Sequence, residues 1–195
     1  MSSPEDVLEF WFGALDASGK PPAERSARWW RKDPAFDEVV VRTFGGDIER
    51  AARGELDDWK QSPRGRLALV ILLDQFSRNA YRDTPKAFSN DARAFSIVQE
   101  GIELGHDRQL RDVERSFFYM PFMHTEDRAV QERGVEVFVR ANEERAGAFE
   151  EGVKFAMLHR DIVQRFGRFP HRNAILGRES TPEELEFLKQ PGSSF

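Results

Sequence analysis

Cysteine is absent from all 195 residues, which excludes disulfides, thiolate metal sites and a cysteine nucleophile together. Long apolar runs are missing as well. The longest wholly aliphatic stretch, residues 67–73, falls far short of the roughly 20 residues that a membrane-spanning helix needs. The chain start has no basic segment followed by an apolar run, so it does not read as a signal peptide. The cytoplasm is the expected compartment, with no membrane partner. Positive charge is not in excess either. A net charge of −5 gives no general attraction to nucleic acid, so no nucleic-acid partner is expected and any anion site must be local.

Catalytic signatures are equally sparse. There is no GxSxG elbow, no GxxxxGK[ST] loop and no GxGxxG turn, so hydrolase, nucleotide and dinucleotide templates find no support. There is no HExxH pair and no dense acidic cluster. His106-Asp107 invites comparison with helical metal phosphohydrolases, but those need a histidine upstream and His106 is the first in the chain. No cofactor and no metal are expected.

What is present describes a folded helical protein. Hydrophobic residues at 39% and charged residues at 32% exclude a disordered chain. Seventeen phenylalanines and four tryptophans predict an aromatic core. No composition shift marks a boundary, so residues 1–195 read as a single helical domain with residues 191–195 as a tail. Nothing in the sequence sets the oligomeric state.

Apolar residues recur at spacings of three and four through nearly the whole chain. Phe36, Val40, Phe44, Ile48 and Ala51 form one such face. Ser62-Pro63 reads as a cap with proline at the first helical position, opening a helix to about Phe76. Thr84-Pro85 repeats the signal ahead of a helix reaching about Leu104, and Thr181 with Glu184 forms a capping box. Between these, helices are predicted over 113–123, 126–142 and 144–166. Residues 134–139 alternate like a strand, but their flanks lack turn residues, so helix is expected there too. The architecture is all-α: antiparallel helix pairs joined by short loops.

Three polar knots interrupt this pattern. Residues 67–73 are apolar on every side, so their helix should be central. Asp74 follows on the same face, and a buried carboxylate needs a partner, which Arg78 four residues on can supply. The pair reads as a structural ion pair or as the charged floor of a pocket. Residues 158–178 hold His159 and His171 with five arginines, a composition suited to gripping a carboxylate or other anion. His159 lies beside an apolar stripe of Phe155, Leu158, Ile162 and Phe166, with Asp161 and Arg165 as an i, i+4 pair on its flank. His171 and Arg172 follow Pro170 at the start of a short helix, where the dipole favours anions. His124 and Asp127 form the third knot. They could join His159 in a mixed metal site, or Thr125 could simply cap a helix beginning at Glu126. The interleaved Arg25, Arg28, Trp29, Trp30, Arg31 and Lys32 reads as core packing with snorkelling arginines rather than as a nucleic-acid surface.

Several of these segments resemble one uncharacterised family, domain-of-unknown-function family 924. The resemblance rests on Phe10-Trp-Phe-Gly13, Leu73-Asp-Gln-Phe76 with Arg78-Asn79, Tyr119 through Asp127, His159-Arg160, Arg165 through Asn173, and Leu176-Gly-Arg178. Ser77 departs from it, standing where the family pattern usually has proline. The resemblance implies a tetratricopeptide-repeat-like α-α superhelix, and no reaction.

Two functional expectations follow. One is a non-catalytic binding module whose concave pocket recognises a carboxylate-bearing peptide, a protein or a small anionic ligand, lined by Asp74, Arg78, His124, Asp127, His159, Arg160, Arg168, His171 and Arg172. The other is an enzyme acting on a small anionic substrate, with His124 or His159 as general base. The tail is expected to fold back on its domain, with Phe195 in an apolar recess and its carboxylate near an arginine or histidine.

Overall fold

The structure is a computed structural model that describes residues 2–194. Every regular element among these residues is helical. In order they are α1 (Pro4–Phe12), α2 (Ala23–Ser26), α3 (Pro34–Ala52), α4 (Pro63–Val70), a π turn (Ile71–Phe76), α5 (Ser77–Ala80), α6 (Asp91–Glu103), α7 (Asp112–His124), α8 (Arg128–Glu144), α9 (Glu150–Phe166) and α10 (Pro182–Phe187). The starts are set by side-chain caps. Ser3, Asp33, Ser62, Asp127 and Thr181 each accept a backbone N–H of the first turn, which supplies partners for amides that the helix itself leaves open. Ser3 and Thr181 complete capping boxes with Asp6 and Glu184.

Several boundaries differ from the sequence expectation, each for a local reason. The helix from Pro63 loosens into the π turn rather than running evenly to Phe76. Thr84-Pro85 opens only a 3-10 turn, Pro85–Phe88, before α6 starts at Asp91. The helix expected from residue 126 starts at Arg128, because Asp127 and not Thr125 is its cap, accepting from Val130 N at 2.9 Å. The helix expected from residue 144 starts at Glu150, since Ala146 takes φ +50° and Gly147 φ +93° in the intervening turn.

The described residues form two compact units: one up to Arg82 together with Lys86–Pro121, the other Asp83–Pro85 together with the residues from Phe122. In the first, α4 and the π turn are the buried centre. Leu67 through Leu73 all have 0% exposure, as their all-round apolar pattern predicts. α1 lies against α4, and α3 lies against the π turn and α5. Phe10 contacts Phe36, Phe44 and Phe76, while Trp11, Phe12 and Trp29 all contact Phe117. The Arg25–Lys32 stretch meets its packing expectation in part. Arg25 donates to the Phe10 carbonyl and Arg28 covers the Phe36 ring, but Trp30 is 73% exposed.

The second unit is built on an antiparallel hairpin of α8 and α9. Gln164 near the end of α9 donates to the Arg128 carbonyl at the start of α8, and Phe138 lies against Gly152 at the other end. Residues 134–139 are helical as expected. Gly134 instead lets Phe122 of α7 lie close against α8, because a β-carbon there would stand 2.9 Å from Phe122 Cβ. Among the described residues no helix is long and apolar enough to cross a membrane.

Candidate functional site

The sequence-predicted polar residues divide between the units. Asp74 and Arg78 belong to the first, and the remaining seven to the second. Asp74 sits in the π turn with 0% exposure. Arg78 reaches its carboxylate at 3.1 Å and forks onto Asp91 at 3.0 and 3.1 Å. Gln75 also donates to Asp74. The i, i+4 spacing therefore holds with Ser77 in the usual proline position, and Ser77 donates both its backbone N–H and its Oγ to the Leu72 carbonyl. A fork shared between two carboxylates is the structural ion pair among the two readings.

In the second unit, four of the seven residues converge. The rings of His124 and His159 have centroids 6.2 Å apart, and His159 meets Phe169 at 5.8 Å. Phe169 in turn meets His171 at 5.5 Å, while the Arg172 guanidinium lies 4.6 Å over the Phe169 ring and donates to the His124 carbonyl. Burial pushes the His159 imidazole down to about 3, helped by the neighbouring His124. Burial and the Arg172 charge push His171 down to about 4. Both rings are therefore neutral in the folded protein near pH 7.

Asp127, Arg160 and Arg168 do not join this group. Asp127 is an exposed helix cap. Arg160 is held by Asp161 and Glu132, and Arg168 by Glu184, whose carboxyl its fork lowers to about 2. The i, i+4 pair expected between Asp161 and Arg165 does not form: Asp161 takes Arg160, and Arg165 takes Glu183. Glu126 closes the region from outside. Burial raises its carboxyl, but the Arg178 fork and the Phe169 N–H outweigh that and leave it below the ordinary range. His171 and Arg172 lie in a single 3-10 turn, Pro170–Arg172, too short to offer the helix dipole expected of them. Among the described residues no three His, Asp or Glu side chains gather as a metal site.

The α9 stripe is only half buried. Ile162 is in the core, whereas Phe155 and Leu158 are 47% and 51% exposed. Leu158, Ile162, Phe166, Phe187, Pro191 and Gly192 line a shallow apolar groove of about 260 Å³. The tail returns to this unit as far as Ser193, which is buried, donates to the Leu188 carbonyl and meets the His171 ring through its backbone. The expectation for Phe195 lies outside the described residues.

Sequence reasoning missed a different feature, in the first unit. A cavity of about 330 Å³ is lined by Glu5, Leu8, Glu9 and Phe12 of α1, the following Gly13 to Leu15, Arg64 of α4, and Arg111 and Glu114 at the start of α7. Glu114 is 2% exposed. It is ion-paired to Arg64 and accepts the Arg111 backbone N–H at 3.0 Å, which closes the first turn of α7. The Arg111 side chain makes no hydrogen bond or ion pair among the described residues, and neither do the carboxylates of Glu5 and Glu9. Gly19, at φ +82°, lies against the Arg111 stem, with Arg111 Cδ 3.6 Å from where a β-carbon would stand. Its loop is fixed by Asp16, whose Oδ1 accepts from Ser18 N, Ser18 Oγ and Lys20 N. Neither cavity is lined by His124, His159, His171 or Arg172. A readable signal for the cavity was the like-charge pair Glu5 and Glu9 at i, i+4 on the same face as Leu8 and Phe12. Such a pair is unfavourable on an isolated helix.

The family described as "Bacterial protein of unknown function (DUF924)" matches residues 7–192. The chain belongs to this family. A solved structure, that of the protein of unknown function ATU0120 from Agrobacterium tumefaciens, is similar at 39% identity and a TM-score of 0.80, over 95% of this chain and 96% of that one. No curated protein matches.

Proposed function

We propose that the protein is a non-catalytic binding module that holds a small carboxylate-bearing ligand in the cavity of the first unit. The observation carrying this reading is Arg111. It lines the cavity, and its guanidinium has no carboxylate partner among the described residues, whereas Arg64 of the same lining is taken up by Glu114. A planar fork of this kind recognises a carboxylate through two parallel hydrogen bonds. The volume of about 330 Å³ suits a small molecule, and the buried Leu8 and Phe12 give it an apolar floor. The helical-pair architecture that the family resemblance implies is compatible with a binding role, although fold alone assigns none.

The enzyme reading has less support. A general base works best with a pKa near the working pH, and burial holds His159 at about 3. His124 is buried against His159 and lines neither cavity.

The test is calorimetric titration with 4-methylpentanoate, which pairs a carboxylate with a short apolar chain. Saturable binding that is lost in Arg111→Gln is the expected result. The same binding in the variant overturns the proposal, and so does a failure of both this probe and its α-amino analogue, leucine, to bind.

A further inference from the structure

The lining of this cavity is charged with both signs, and the balance narrows the ligand class. Arg64 and Glu114 neutralise one another. That leaves one cation, Arg111, and two carboxylates, Glu5 and Glu9, all without side-chain partners among the described residues. The two acids stand one turn apart on α1, so they repel one another until a cation comes between or beside them. Leu8 and Phe12, on the same helix face, supply the apolar surface, and Leu15 adds to it from the loop. A simple carboxylate would satisfy Arg111 but leave that repulsion in place. A simple amine would do the reverse.

We infer that the ligand is a zwitterion with an aliphatic side chain, an α-amino acid of the size of leucine. Its carboxylate is held by Arg111, its ammonium by Glu5 and Glu9, and its side chain by Leu8, Phe12 and Leu15. This rests on the binding-module reading above and adds the ammonium subsite to it. The α1 pair is then a recognition element rather than a cost to the fold, and the pairing of Arg64 with the buried Glu114 keeps the α7 end of the cavity in place. Because Glu5, Glu9 and Arg111 are exposed, binding weakens as salt rises.

Calorimetry on the full chain with three probes decides it: leucine, 4-methylpentanoate, which lacks the ammonium, and isoamylamine, which lacks the carboxylate. Leucine is expected to bind at least about tenfold more tightly than either analogue, since each loses a charge-assisted contact. Arg111→Gln should abolish leucine binding. Glu9→Gln and Glu5→Gln should weaken leucine while leaving 4-methylpentanoate unchanged or slightly tighter. If 4-methylpentanoate binds as well as leucine and the glutamate variants change nothing, the ammonium subsite is wrong and the carboxylate reading stands. If neither carboxylate probe binds, or Arg111→Gln binds both as the wild type does, both are wrong. Circular dichroism of each variant, expected to match the wild type, separates lost binding from lost folding.

Discussion

The histidine–arginine cluster of the second unit and the cavity of the first are both rich in charge, and they differ in how that charge is spent. Arg160, Arg168 and Arg178 each face a carboxylate of the protein, and Arg172 lies on Phe169 and the His124 carbonyl. Arg111, Glu5 and Glu9 face none among the described residues. Charges held by the protein's own carboxylates, rings and carbonyls make architecture, while charges without such a partner around an open volume are poised for a ligand. The density of arginine and histidine along the chain does not distinguish the two. The positions of the carboxylates do.

This contrast predicts large stability effects in one region and small ones in the other. Phe169 is fully buried at the centre of the cluster, with His159, His171 and Arg172 all against its ring. Phe169→Ala should therefore cost about 3–5 kcal/mol in a denaturant titration. A loss under about 1 kcal/mol would mean that the cluster does not hold the unit together.

Acid should act through the same group. Both histidines sit below their ordinary value of 6.5, so the unfolded chain takes up protons that the folded one refuses. Stability is unaffected above about pH 6.5. Below it each histidine costs up to about 1.4 kcal/mol per pH unit. The loss continues until pH reaches about 4 for His171 and about 3 for His159. Glu184, held at about 2, contributes to acid loss only at lower pH. Unfolding free energies between pH 6.5 and 5 therefore report the histidines, His106 included because burial lowers it too, and His159→Gln should flatten that slope. An unchanged slope would remove His159 as its source.

Smaller effects complete the series. Asp127→Ala deletes an exposed helix cap and should cost about 1 kcal/mol. A loss of 3 kcal/mol would instead give Asp127 a place in the cluster. Arg111→Ala should lie within about 0.5 kcal/mol of the wild type by thermal denaturation, because that exposed side chain has no hydrogen-bond or ion-pair partner among the described residues to lose. A cost above 1 kcal/mol would make Arg111 structural and erase the contrast.

Much of the fold was legible because helix caps and apolar spacing are local signals. Ser62-Pro63 and Thr181 through Glu184 each open a helix where the sequence places one, and the all-round apolar run from Leu67 is the buried centre. Where boundaries slipped, at Thr84-Pro85 and at residue 144, the reason was turn geometry that propensity does not encode. Site chemistry was harder to read because its partners are distant in sequence. The arginines of residues 158–178 looked available, yet Glu126, Glu132 and Glu184 hold three of them. Beyond the Glu5–Glu9 pair, the cavity was hidden for the converse reason. Glu5, Arg64 and Arg111 come from three separate segments and share no motif, and only the fold brings them together.

The most direct measurement of the central claim is NMR of the arginine Nε–H groups while leucine is titrated into the full protein. The account predicts that the Arg111 resonance moves saturably, while those of Arg168, Arg172 and Arg178 stay where they are. Movement of Arg172 together with the His159 or His171 rings, with Arg111 unmoved, would place the site in the second unit and contradict the account.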